Sequence, residues 1–228
     1  MIMRGRRVSG WRGAAWGAAL VGVALLGAGC QGQSAGGSKA SSAAARAKVI
    51  PVQGSPVLQQ VVAGALEQTG QTRRYDAAYV KLDYPGGDVP IDRGACTDVV
   101  VRAFRRGGVD LQKLVHEDMT KEFAAYPHIW GLPAPDSNID HRRVPNLRTY
   151  FEREGKSLPV TGRGEDYLPG DVVSWDLNGM GLAHIGIVSN LWSDESHNYL
   201  VVHNIGAGAK AEDVLFDWHI TGHYRYFK

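Results

Sequence analysis

Cysteine is almost missing from this chain of 228 residues, which has only Cys30 and Cys96. That scarcity excludes a disulfide-stapled scaffold and any zinc ribbon built from paired cysteines. Long apolar runs are missing too. The best, Ala14–Leu26, is short for a bilayer span. Acidic residues are absent from positions 1–29, which carry Arg4, Arg6, Arg7 and Arg12. The formal charge of +2 is therefore local: 25 basic residues less these four leave 21, against 23 acidic ones, a net of −2. Such a balance offers no electrostatic footprint for nucleic acid. With 44% hydrophobic and 21% charged residues, the chain is neither disordered nor collagen-like as a whole.

What is present begins with an address. A basic stretch, a short apolar run and Leu25-Leu26-Gly27-Ala28-Gly29-Cys30 follow in the order of an export signal. The small residues before Cys30 resemble a lipoprotein signal, so residues 1–29 are expected to be removed and Cys30 acylated. An ordinary cleaved signal with Cys30 incidental is the plainer alternative. Two acyl chains would anchor the protein stably in a membrane. Gln31 stands where a retention aspartate would stand, which points to a periplasmic protein on the outer membrane. Residues 31–48, rich in Ala, Ser and Gly, read with Cys30 as a flexible tether.

From residue 49 to 228 one domain is expected. Pro56–Thr69 has apolar residues at helical spacing, with Ser55 as cap and Pro56 in the first turn. Ala78–Leu82 reads as a short strand, and Tyr84-Pro85-Gly86-Gly87-Asp88 as a turn. Cys96–Arg106 reads as a helix stopped by Gly107-Gly108, followed by a helix capped by Asp110 and another over Pro145–Glu154. The Pro- and Gly-rich segment 126–145 is a long irregular loop, and such loops usually carry function. Then the period changes. Val172–Trp175, Ala183–Ser189, Tyr199–Asn204, Asp213–Phe216 and His223–Phe227 are short and β-rich. Helices first and strands after predict an α+β domain, its helices packed on an antiparallel sheet of about five strands.

Two stretches carry chemistry. Cys96 opens a helix, where unsatisfied N–H groups favour thiolate and can stabilise an oxyanion. A lone thiol in an oxidising compartment is a liability unless buried or used. His184 lies in Ala183-His184-Ile185-Gly186-Ile187-Val188, where alternation puts it opposite in facing to Ile185 and Ile187. If the next strand pairs residues whose numbers sum to 387, His203 faces His184, and a slip of one substitutes Asn204. Either could hold the imidazole of His184 as the third member of a triad. Asp98 is expected to pair with Arg102 one turn on.

These motifs resemble the papain-like cell-wall hydrolases of the NlpC and CHAP type: cysteine at a helix start, His-Ile-Gly-Ile-Val on a strand, a polar residue on the next. Pro169-Gly170-Asp171 resembles their recurrent turn before the histidine strand. More narrowly, residues from Tyr75 to Tyr226 are similar to the YijF-like family of exported bacterial proteins, a domain of unknown function. That likeness is carried by Lys81–Asp88, Asp92–Asp98, Asn138–Leu147 and His203–Gly208. After the cysteine the superfamily often has Ser-Gly, where this chain has Thr97-Asp98.

The resemblance implies a papain-like core that cleaves an amide bond in peptidoglycan or its stem peptides, without a cofactor or metal, as a monomer. It implies Tyr84 as an upstream tyrosine beside the thiol. Arg142 and Arg143 are candidates for binding substrate carboxylates, with Trp130 covering the groove. The same residues admit two other readings. One is a cell-envelope binding module on this scaffold that does not cleave. The other is a zinc site built from Cys96, His184 and His203, for which no short paired ligand motif speaks.

Overall fold

The computed structural model describes residues 43–228. The expected signal sequence, Cys30 and the first part of the expected tether lie outside the described residues. No helix among those described is long and apolar enough to cross a membrane. The end of the tether belongs to the domain. Ala44 and Ala47 pack against the core, and Lys48–Val49 forms strand β1 on Trp192 and Leu191.

Local signals place the helices. Ser55 accepts Leu58 N–H at 3.3 Å and starts α1, Pro56–Glu67. Helix α2 runs Cys96–Arg106 and stops at Gly107. Asp110 accepts Gln112 N–H and opens α3, Leu111–Lys121. Helix α4 is Val144–Arg153, with Pro145 in its first turn. Every residue of α2 from Cys96 to Phe104 is buried, so this is the central helix and not a surface one. Its Val99, Val100 and Phe104 join Ile185, Ile187 and Val202 of the sheet in the main core. Phe104 packs in turn on Phe151, Tyr226 and Phe227.

Two short strands, β2 (Arg74–Tyr75) and β3 (Arg93–Gly94), pair in parallel just before α2. The main sheet is antiparallel and has seven strands rather than five. Its members are β1, β4 (Ser157–Leu158), β5 (Val172–Asp176), β6 (Ala183–Ser193), β7 (Asn198–Asn204), β8 (Ala209–Glu212) and β9 (His219–Tyr224). The order is β4-β9-β5-β6-β7-β8, with β1 beside the far end of β6. The added strands escape sequence reading because β1 and β4 are two residues long and Ala-Lys-Ala-Glu of β8 lacks β-branched residues.

Two expected strands are absent. Asp213–Phe216 is a turn whose Leu215 enters a second core on the other face of the sheet, where its carbonyl accepts Trp175 Nε1–H at 3.0 Å. Ala78–Leu82 is extended without a strand partner. Its polar groups bond instead to side chains, Ala78 O to Arg142 and Leu82 N–H to Asn138.

Phe104 is the aromatic hinge between helices and the chain terminus. Phe104→Ala should cost about 3–5 kcal/mol, read as a lower urea midpoint with an unchanged slope. A shift under about 1 kcal/mol would show that the site collapses around the gap.

Candidate active site

Asp98 builds the floor of the site. Ala95, the cap of α2, has no side-chain oxygen to offer the helix, and Asp98 reaches back to accept Ala95 N–H at 2.6 Å. The same buried carboxylate takes both Nε and Nη2 of Arg142, at 2.9 and 3.0 Å. Arg142 spends its remaining donors on Ala78 O and Asp76 O. Thus Arg142, proposed from sequence to bind substrate, is a buried clamp with four of its five N–H groups bound within the domain. Nor does Asp98 pair with Arg102. That guanidinium instead bridges Asp88, Val89 O and Arg93 O.

The thiol sits where two strands part. Val188 exchanges hydrogen bonds with the β5 side through Asp171 and Gly170. Alternation then turns the amides of Ile187 and Ile185 toward β7. Pairing of β6 with β7 runs as far as Ile187–Val202. The amide of Ile185, left without a strand partner, donates to the sulfur of Cys96. The thiol thereby lies in the fork between β6 and β7, against the backbone of the residue that follows His184. The amides of Thr97 and Cys96 also reach it.

His184 and His203 lie on the face of the sheet opposite to Ile185, with Trp175 and Trp218, and no hydrogen bond joins either imidazole to the Cys96 sulfur. The register differs from the expected sum of 387: Ile187 pairs with Val202 and Trp192 with Tyr199. Both shifts are even, so parity survives and the two imidazoles remain on one face. His184 Nε2 meets His203 Nδ1 at 2.9 Å, and both rings pack on Trp218. Trp175, paired with His184 across β5, completes the wall. No described residue takes His184 Nδ1 in a hydrogen bond. His203 Nε2 is buried and meets Glu212 Oε2 of β8 at 2.8 Å, an angled approach with no other partner. Burial opposes charge on Glu212. Contact with His203 and the nearby Lys210 outweigh that and bring its carboxyl below the usual range.

Asn204, the alternative third member, points away from the imidazoles. Its amide donates to Gly94 O at 2.8 Å and Arg74 O at 3.1 Å and so ties the end of β7 to the turn before Cys96. Tyr84 is not beside the thiol either: its ring stands edge-on to His116 at 5.1 Å. The tyrosine that senses the thiol is Tyr75. Its phenol is pushed up by burial and then by the charges of Cys96 and Asp98. Pairing of Tyr75 with Gly94 puts it there, a contact between segments nineteen numbers apart that no local pattern announces. Arg143 lies 4.1 Å over the Trp130 ring, the two lining a small cavity with Asp140 and Asn146. A larger cavity of about 1090 Å³ is bordered by Trp218, Glu212, Lys210 and the turn 213–217.

Electrostatics run against a resting ion pair. Burial pushes the Cys96 thiol up to about 12, with the amides of Ile185, Thr97 and Cys96 pulling the other way and Asp98 adding to the rise. Burial pulls His184 down to about 3, with His203 adding to the effect. The expectation that the helix start yields a thiolate is therefore overturned: burial outweighs a few amide dipoles. At neutral pH both groups are uncharged. Cys96, His184 and His203 do not form a cluster fit for a metal, nor does any trio among the described residues.

Two measurements check this electrostatic account. Arg142→Met leaves Asp98 buried without its cation and should cost about 3–5 kcal/mol in urea unfolding, whereas Arg143→Met, on a partly exposed stack, should cost under about 1. Equal effects would contradict the assignment of Arg142. The second concerns pH. His184 near 3 and His141 near 4 both lie below their ordinary 6.5 because they are buried. An unfolded chain binds these protons first as pH falls. Stability is thus complete above about 6.5 and drains on acidification toward 4 and 3, by up to about 1.4 kcal/mol per pH unit for each ring. The urea midpoint should be lower at pH 5 than at pH 7, and His184→Gln should flatten that decline.

Residues 62–226 match the family described as Domain of unknown function (DUF1287). The uncharacterized protein YijF of Escherichia coli strain K12 is 56% identical over 186 residues, covering 82% of this chain and 89% of YijF. Among solved structures, NlpC1 from Trichomonas vaginalis aligns with a TM-score of 0.42 at 13% identity, over 80% of this chain and 49% of its own. A Staphylococcus aureus protein described as similar to lipoprotein, NLP/P60 family, aligns with a TM-score of 0.39 at 12% identity, over 78% of this chain and 44% of its own. The chain spans about half the length of those two proteins. By the span of its match and its identity to YijF, this chain belongs to the DUF1287 family.

Proposed function

We propose that this protein is an exported cysteine hydrolase that cleaves an amide bond in peptidoglycan or its stem peptides, anchored in the envelope through Cys30. The observation that carries the reading is the fork between β6 and β7. There the amide of Ile185 reaches the sulfur of Cys96, and His184, the residue before Ile185 on β6, is held at Nε2 by His203 while Nδ1 is left unbonded. The order of a cysteine helix, a histidine strand and a second histidine strand supports a papain-like core.

The chemistry begins from neutral partners. As Sγ of Cys96 attacks the amide carbon, its proton passes to Nδ1 of His184, so that the S–H bond breaks as the C–S bond forms. Charge on the carbonyl oxygen is met by the amide at the start of α2 and by the hydroxyl of Tyr75. His184 then returns its proton to the leaving amine, and water cleaves the thioester. Concerted transfer suits this site because a free thiolate is disfavoured there. Trp130 and Arg143 form a cation–π stack that offers a flat, positively charged surface to sugar and carboxylate groups. A non-catalytic envelope-binding module is the competing reading, favoured by the same uncharged resting state.

Digestion of purified peptidoglycan, with product masses determined, separates the two. The wild-type chain should release amide-cleaved fragments, and Cys96→Ala should lower that release at least about a thousandfold while the far-ultraviolet spectrum is retained. Release that survives in Cys96→Ala would sink the hydrolase reading. Tyr75→Phe should lower the rate by about tenfold or more, and Tyr84→Phe should leave it within about twofold.

A further inference from the structure

The contact that sets the direction of proton transfer lies two strands away from the thiol. His184 Nε2 and His203 Nδ1 share one proton across 2.9 Å. Either ring can supply it, and the choice decides what His184 offers to Cys96. If His203 donates, His184 accepts at Nε2 and carries its own proton on Nδ1, where it cannot act as a base. If His184 donates, its Nδ1 is a bare lone pair. The tautomer of a ring is set by what its other nitrogen meets.

At the far nitrogen of His203 stands a carboxylate. Glu212 Oε2 is 2.8 Å from His203 Nε2, a buried nitrogen that makes this ion contact at an angle too bent for a hydrogen bond and has no hydrogen-bond partner. A carboxylate accepts and does not donate, so the contact is favourable only with a proton on Nε2. In the neutral ring that leaves His203 Nδ1 bare, to accept from His184. His184 then holds its proton on Nε2 and turns a lone pair at Nδ1 outward. We propose that Glu212 is a positioning residue that sets the tautomers of both imidazoles and so makes His184 a base toward Cys96.

Resting on the hydrolase reading, the assignment extends its catalytic row by one residue, from Cys96 through His184 and His203 to Glu212. The register makes this possible. On β8, Lys210 pairs with His203 and Glu212 with Val201, so Lys210 and Glu212 lie on the imidazole face. The charged and titratable groups bearing on His203 are thus His184 from β6, Glu212 and Lys210 from β8, with the Trp218 ring closing the remaining side. When His184 takes the thiol proton it becomes a cation, and the hydrogen bond to His203, with the carboxylate of Glu212 in contact behind it, offsets part of that charge. The first bond formed is N–H at His184 Nδ1 and the bond broken is S–H at Cys96. No proton need leave His203.

Nitrogen-15 spectra of the histidine rings in the purified full chain read the tautomers directly, without any substrate. At neutral pH both His184 and His203 should show a protonated Nε2 and a bare Nδ1. In Glu212→Gln, whose amide can donate as well as accept, the protonated-Nδ1 form should grow in on both rings. Iodoacetamide should alkylate Cys96 about tenfold or more slowly in that variant, and Glu212→Asp should recover most of the rate. A wild-type His184 protonated at Nδ1 overturns the proposal even if no variant folds, and so do spectra and alkylation unchanged by Glu212→Gln. Failure of the wild-type chain to cleave peptidoglycan would instead remove the hydrolase reading and leave the tautomer result standing.

Discussion

The carboxylate of Asp98 is the point from which the site is built. It closes the first turn of α2 by taking the Ala95 amide and simultaneously grips Arg142, whose other donors bind the chain at residues 76 and 78. Two segments remote in sequence are thereby pinned to the start of one helix. Tyr75 and Cys96 reach their places because of that pin. Asn204 supplies a second one, from the end of β7 to Gly94. A buried ion pair of this kind is weak evidence for stability, since desolvation offsets much of the attraction. Its value here is geometric: it leaves the loop before Cys96 one arrangement.

Burial dominates the electrostatics that follow. A cysteine at a helix start in water would lean toward thiolate, and an imidazole beside it toward imidazolium. Within this core, the first is pushed up to about 12 and the second down to about 3. The sulfur therefore keeps its proton at neutral pH, and a protonated thiol is less open to oxidation than a thiolate. In the proposed mechanism the base must then be presented correctly in advance, because no resting ion pair aligns it. That requirement gives the row of His203 and Glu212 its meaning.

Alternation along the strands explains why the histidine pair was legible and the rest of the wall was not. His184 and His203 stay on one face under any even change of register, and the two changes observed were both even. The register itself depended on a β6 strand longer than its β-rich centre, and Ala-Lys-Ala-Glu in β8 carries no strand signal, so Glu212 was invisible. Tyr84 stands out through its Pro-Gly turn, yet the parallel pairing of Arg74–Tyr75 with Arg93–Gly94 makes Tyr75 the tyrosine whose phenol feels the charge of Cys96. Arg142 and Arg143 look alike in the sequence. One is buried with four hydrogen bonds to Asp98 and two carbonyls, the other lies on Trp130.

By itself the sequence determined the start and stop of each main helix, since caps such as Ser55, Asp110 and Gly107 act on the neighbouring turn alone. It also determined the facing of His184 against Ile185, because side-chain alternation is a property of any strand, and the α+β order of helices before strands. Only the tertiary structure decided the number of strands, the partner of Asp98, the tyrosine beside Cys96 and the carboxylate behind His203. Each of these is a contact or pairing between separate elements, and its partners meet only once the strands are in register and the sheet has closed on α2. The charge states of Cys96 and His184 belong with them, because desolvation is a property of the surroundings and not of the residue.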